Sequence, residues 1–165
     1  MEKVGIFYGS SSGKTEEVVK IVAKQLGNAE LFDVSNGIDK IPEFKNLILA
    51  SPTYGMGELQ DDWAAVIDKL SEMNFDGKVV ALIGVGDAAL FGANYVEALM
   101  HLYDAVSPNG AKVVGLVPTE DYDFEDSLAV IDDKFMGLAI DTSFDEDEIS
   151  SKVESWLEKI KEDLI

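Results

Sequence analysis

The 165-residue sequence has no cysteine, a single histidine (His101) and no arginine, its 13 basic residues all being lysine. Without thiols there is no disulfide framework, no thiolate metal site and no cysteine nucleophile. Against those lysines stand 32 acids, giving a net charge of −19. That balance argues against nucleic acid as a partner, because such binding rests on basic neutralisation of phosphates. No window approaches the ~18 apolar residues of a membrane span. The first apolar run, Val4–Tyr8, is too short for a signal-peptide core and follows no basic segment. A soluble, cytoplasmic, monomeric protein is the expectation. At 47% hydrophobic and 27% charged residues the composition is ordinary for a globular chain. The length suits a single domain, residues 1–165, able to fold without metals.

Short apolar runs recur along the chain at Val4–Tyr8, Ala29–Phe32, Leu47–Ala50, Val79–Ile83, Val113–Val117 and Phe135–Ile140. Segments of helical period separate most of them. Val18, Val19, Val22 and Leu26 form one stripe, Val96, Leu99, Met100, Tyr103 and Val106 a second, and Ile149, Val153, Trp156, Leu157, Ile160 and Leu164 a third. Strands alternating with helices predict an α/β fold, a doubly wound parallel sheet covered on both faces. Ligands of such folds sit beyond the carboxyl ends of the strands, which directs attention to the loops Gly9–Thr15, Ser51–Asp62 and Gly84–Tyr95. One segment breaks the alternation: Thr119–Lys134, with seven acids and one lysine, reads as an inserted loop.

The first loop, GSSSGKT, admits several chemistries. A nucleotide-binding P-loop ending at Gly13-Lys14-Thr15 requires glycine at position 8, where Tyr8 stands. A hydrolase elbow would make Ser11 the nucleophile and needs a histidine base, but His101 lies between Glu97 and Asp104 on the face opposite the apolar stripe and reads as a solvated surface position. Gly84-Val85-Gly86-Asp87-Ala88-Ala89 is a lone dinucleotide-like match whose acidic partner, Asp104, falls inside a predicted helix. Asp121, Asp123 and Glu125 open a calcium-like loop that has Asp126 where glycine is needed. What fits is phosphate capture by the hydroxyls of Ser10, Ser12 and Thr15, together with N–H groups at the start of a helix. The aromatic residues of the other two loops then suit a flat, phosphorylated ring cofactor.

These three loops, in this order, resemble those of the long-chain flavodoxins: S-x-S-G-K-T, SPTYGMGELQDDW and GVGD, with YDFEDS…KFMGLAID similar to the insert that splits the family's last strand. The resemblance implies a five-stranded parallel sheet of order 2-1-3-4-5 and FMN as cofactor. It implies that Ser10, Ser12 and Thr15 hold the phosphate with backbone N–H groups of Ser11, Ser12, Gly13, Lys14 and Thr15. Tyr54 and Phe91 would sandwich the ring, Pro52, Thr53, Gly55, Met56 and Gly57 would complete the second loop, and the backbone of Gly86 and Asp87 would meet the pyrimidine edge. Phe91 stands where the family usually has tyrosine, with Tyr95 a less suitable substitute one turn on. The implied function is low-potential one-electron transfer through the semiquinone/hydroquinone couple, with the Gly55-Met56 peptide turning over on reduction. Glu58, Asp61, Asp62 and Asp87 would keep the second electron loosely held. The implied partners are ferredoxin/flavodoxin-NADP reductase or ferredoxin-dependent oxidoreductases with basic docking surfaces. The alternatives are a flavodoxin-fold NAD(P)H:quinone oxidoreductase and a signalling receiver domain. For the acidity itself, plain solubility is the simpler account and steering toward basic partners the sharper one.

Overall fold

The computed structural model describes every residue, Met1–Ile165. Its elements are β1 (Val4–Tyr8), α1 (Lys14–Leu26), β2 (Ala29–Asp33), α2 (Val34–Gly37), β3 (Asn46–Tyr54), β4 (Glu58–Leu59), α3 (Asp61–Ser71), β5 (Val79–Gly86), α4 (Ala88–Phe91), α5 (Ala98–Val106), β6 (Lys112–Val114), β7 (Val117–Pro118), β8 (Val130–Ile131), β9 (Lys134–Phe135), β10 (Leu138–Asp141) and α6 (Glu146–Ile160). The apolar runs become strands because both sheet faces are covered and every side chain along them must be apolar. Alternate residues then serve different layers. Phe7, Leu47, Leu49, Val80 and Leu82 face the core beneath α3 and α5, while Ile6, Ile48, Ala50, Ala81 and Ile83 face the core beneath α1 and α6.

The sheet runs β2-β1-β3-β5 in parallel, and the far side of β5 is shared by two short strands. β6 pairs with Val79–Ala81 and β10 with Ile83–Gly86. Counted as one interrupted strand they give the order 2-1-3-4-5, as expected. The runs Val113–Val117 and Phe135–Ile140 are therefore not single strands. Each is divided where the chain leaves or rejoins the sheet, at Gly115 and at Gly137, where a Cβ would collide with the Leu82 carbonyl group.

The segment between them is also more ordered than the loop expected from its acids. β7, β9 and β8 form a small antiparallel sheet. Asp132 and Asp133, with φ of 51° and 62°, make the two-residue turn between β8 and β9. Positive φ at both turn residues is the type I′ geometry that matches strand twist. Tyr122, Phe124 and Phe135 fasten this sheet to the core, with ring centroids of Phe124 and Phe135 5.1 Å apart. The second predicted helical stripe also begins later than its pattern suggests: Val96 has φ 47° and lies outside α5.

Because glycine tolerates the second position of a type I′ turn better than aspartate, Asp133→Gly should stabilise the folded protein by up to about 1 kcal/mol. An unchanged or lowered thermal midpoint would show that this turn does not limit the small sheet.

Candidate cofactor site

Three loops leave the carboxyl ends of β1, β3 and β5, which are neighbours in the sheet. Pro52 is in register with Val85, and Gly9 N–H donates to the Ala50 carbonyl (3.3 Å), so the first two loops start side by side. Gly9 is itself held close, since a Cβ there would run into Gln60 and Trp63.

The first loop turns through Gly13, whose φ of 90° suits glycine, into the N-terminus of α1. Gly13 N–H donates to Ser10 Oγ (3.0 Å). The N–H groups of Ser11, Ser12, Lys14, Thr15 and Glu16 find no acceptor within the protein, as expected for the first turn of a helix. Thr15 is 1% exposed, yet its Oγ1 has no hydrogen-bond partner. An orphaned buried hydroxyl is costly unless something outside the chain completes it. Ser12 is exposed, and Ser11 Oγ accepts from Gln60 Nε2 (3.2 Å). The loop's lysine points elsewhere: Lys14 Nζ donates to the Phe144 carbonyl (3.2 Å) and pairs with Glu17. The donor set is therefore hydroxyls, amides and a helix N-terminus, the chemistry of phosphate capture without a buried cation.

The second loop is a tight hairpin. β4 returns antiparallel to the end of β3, pairing Thr53 with Leu59 and Tyr54 with Glu58. Gly55, Met56 and Gly57 form its tip, and Met56 is 80% exposed. Gly57 has φ 91° and lies against Glu97, leaving no space for a Cβ. Thr53 Oγ1 accepts from Ala98 N–H (3.0 Å), and His101 Nε2 is 3.0 Å from the Gly57 carbonyl oxygen. His101 is therefore a half-buried contact of this hairpin, contrary to the solvated position read from its acidic neighbours. Behind the hairpin, Gln60 is fully buried: its Oε1 accepts from Asp62 and Trp63 N–H, and its Nε2 reaches the first loop.

The third loop carries α4. Asp87 caps it by accepting from Ala89 and Leu90 N–H (3.1 and 3.0 Å). Gly86 is packed on Tyr95 and Val96. Phe91 is 42% exposed, whereas Tyr95 is 1% exposed and stacks on Phe124 (5.6 Å), so Phe91 and not Tyr95 presents a ring at the surface. The insert is bonded directly to this loop. Glu125 and Asp126 N–H both donate to the Gly92 carbonyl (2.9 Å), and Leu128 N–H donates to Glu97 Oε2 (2.7 Å). A cavity of about 710 Å³ is lined by Asp87–Ala89, the insert and Asp141–Phe144, but by none of the Ser10–Thr15 loop, Tyr54 or Phe91. It borders the site only through the third loop, at Asp87–Ala89.

Residues 6–156 match the family described as Flavodoxin. The chain belongs to the flavodoxin family. It is 37% identical to flavodoxin of Synechocystis sp. over 165 residues, covering 98% of this chain and 97% of that protein. It is 38% identical to flavodoxin 1 of Escherichia coli, covering 99% and 96%. The fold superposes on Fusobacterium nucleatum flavodoxin bound to flavin mononucleotide with a TM-score of 0.95 at 34% identity, covering 100% of both chains. Flavodoxins are electron carriers to redox partners rather than enzymes, and no helix here is long and apolar enough to cross a membrane.

Three residues of this flavodoxin-family site escaped the sequence reading: Gln60, Glu97 and Asp141. Gln60 and Glu97 each sit one residue before a helix, and only the tertiary structure supplies their partners. Asp141 ends β10 beside Gly86 and accepts from Ala88 N–H (2.9 Å) and Ser143 N–H (2.9 Å). Its location at a strand end was the available signal. Burial alone would raise its pKa, but the hydrogen bonds from Ser143 and Ala88 outweigh burial and hold the carboxyl below the ordinary 3.8. A depressed native pKa contributes stability that is present above the unfolded value and lost as the pH falls through the native one. The thermal midpoint of Asp141→Asn should therefore lie below wild type at pH 6 and converge toward it below pH ~4. A gap of constant size down to pH 2.5 would show that charge at this position is immaterial.

Proposed function

We propose that residues 1–165 act as one domain that binds FMN non-covalently and carries single electrons at low potential between redox proteins, in place of ferredoxin. The observation that carries this reading is the buried, unpartnered Thr15 hydroxyl at the base of a turn whose N–H groups also lack acceptors. It fits a phosphate monoester, with Ser10 and Ser12 supplying further hydroxyls and Ser11, Ser12, Lys14 and Thr15 their N–H groups around Gly13.

The remaining assignments follow from the loops. Tyr54 and Phe91 flank the isoalloxazine, Pro52 and Thr53 line its approach, Gly55, Met56 and Gly57 border its edge, and the backbone of Gly86 and Asp87 meets its pyrimidine side. FMN supplies the redox chemistry, since its ring accepts electrons singly. The chain determines how tightly they are held. Glu58, Asp61, Asp62 and Asp87 oppose added negative charge, with no arginine to offset them. Met56, Leu90 (75% exposed) and Phe91 are exposed apolar residues on the second and third loops, the same loops that carry these acids. Small apolar contacts with complementary charge suit transient redox docking. We assign basic-surfaced partners, ferredoxin/flavodoxin-NADP reductase or ferredoxin-dependent oxidoreductases, to a cytoplasmic monomer. No observation favours an NAD(P)H:quinone oxidoreductase.

Anaerobic dithionite titration of the purified protein tests the reading. A yellow protein reduced in two resolved one-electron steps is expected. A single two-electron step would replace the carrier by the oxidoreductase, and a colourless protein that FMN cannot restore would overturn the cofactor assignment. Hydrogen bonds to charged groups contribute roughly 1.5–3 kcal/mol, so Thr15→Val should weaken FMN binding about 10- to 100-fold in a fluorescence titration. An unchanged dissociation constant would remove Thr15 from the phosphate site. Electron-transfer rates to a basic partner should fall as salt is raised from 0.01 to 0.5 M, a range over which the Debye length shrinks from about 30 Å to a few ångströms. A flat salt profile would leave the acidity to solubility.

A further inference from the structure

The Gly55–Gly57 tip is weakly supported by its own structure. It extends beyond a two-pair ladder, two of its three residues are exposed, and burial of Met56 contributes nothing to its position. What faces it is α5, whose Leu99, Leu102 and Val106 are fully buried and fix the helix to the sheet. Two residues on one face of that helix's start, Glu97 and His101, four apart, both meet Gly57. Glu97 is already committed to Leu128 N–H and Asn94 Nδ2 and offers Gly57 only a packing surface. His101 offers a hydrogen bond.

We propose that His101 is a positioning residue for the cofactor-facing hairpin, donating its Nε2–H to the Gly57 carbonyl and so fixing the tip against α5. The direction of the bond follows from chemistry: a carbonyl oxygen only accepts, so the imidazole must carry a proton on Nε2. Neutral His101 is thereby the Nε2–H tautomer, and the protonated ring retains the same bond. The side chain acts on the cofactor through the hairpin and does not touch it. The carbonyl it holds belongs to the residue after Met56, so losing the bond frees the part of the chain that borders the proposed ring site. The inference rests on the FMN reading for its functional consequence and on the hairpin geometry alone for its structural one.

Two variants separate these levels. His101→Leu removes the donor at similar volume, whereas His101→Gln restores an N–H at the end of a flexible side chain. One net hydrogen bond corresponds to about 2- to 10-fold in an equilibrium. In the apoprotein, His101→Leu should speed amide exchange across Gly57–Gln60 by that factor and His101→Gln should restore part of the protection. In the loaded protein, His101→Leu should weaken FMN binding by a similar factor and shift the first one-electron midpoint potential, with His101→Gln intermediate. Nitrogen-15 NMR of the unsubstituted protein should place the neutral proton on Nε2. The proposal is overturned by a neutral Nδ1–H tautomer, by unchanged exchange in His101→Leu, or by glutamine behaving no better than leucine. If the protein binds no FMN, the functional reading fails while exchange and tautomer still decide the role of His101.

Discussion

Inside a sheet covered on both faces, every backbone N–H and C=O must be satisfied along the strands, because no water reaches them. That requirement brings β1, β3 and β5 together in parallel, and everything in the site depends on it. Parallel pairing sends all three chain ends out at the same edge. A phosphate-type turn, an aromatic hairpin and a third loop bearing an exposed ring thus become neighbours although they lie about forty residues apart in sequence. Their adjacency follows from strand order and needs no interaction among the loops.

Adjacency alone does not make the loops rigid. Each is held by a buried side chain from outside itself: Gln60 ties the hairpin to the first turn, Glu97 gathers the hairpin, the third loop and the insert, and Asp141 holds the N-terminus of α4. These residues accept or donate through fixed geometry, and two are carboxylates kept in place by N–H groups. Asp87, Asp33 and Asp145 likewise accept from helix N-terminal N–H groups. A share of the acidity is therefore capping chemistry. The salt bridges, by contrast, are made by largely exposed side chains and contribute little to stability. What remains without such a partner on the second loop is the charge of Glu58 and Asp61.

The insert illustrates how a polar segment acquires structure. Its acids project outward, while Tyr122, Phe124 and Phe135 face inward and its backbone bonds to Gly92 and Glu97. Splitting the last strand between β6 and β10 leaves β5 paired along nearly its full length. The interruption thus places a second layer behind the third loop at little cost to the sheet.

By itself the sequence determined the alternation of strands and helices, the parallel sheet and the three loops that matter, because fully buried strands must be continuously apolar and phosphate turns must be rich in glycine and hydroxyls. It also singled out Ser10, Ser12 and Thr15 by residue type, and Tyr54 and Phe91 by resemblance to the flavodoxins. Only the tertiary structure decided that Val113–Val117 and Phe135–Ile140 each divide, that Tyr95 is core while Phe91 is exposed, that Lys14 turns to Phe144, and that Gln60, Glu97, His101 and Asp141 hold the loops. The physical reason is common to all of these. A local pattern reports which face of an element is apolar, whereas the partner of a polar side chain lies far away in sequence, and no periodicity encodes which glycine or amide will be opposite it.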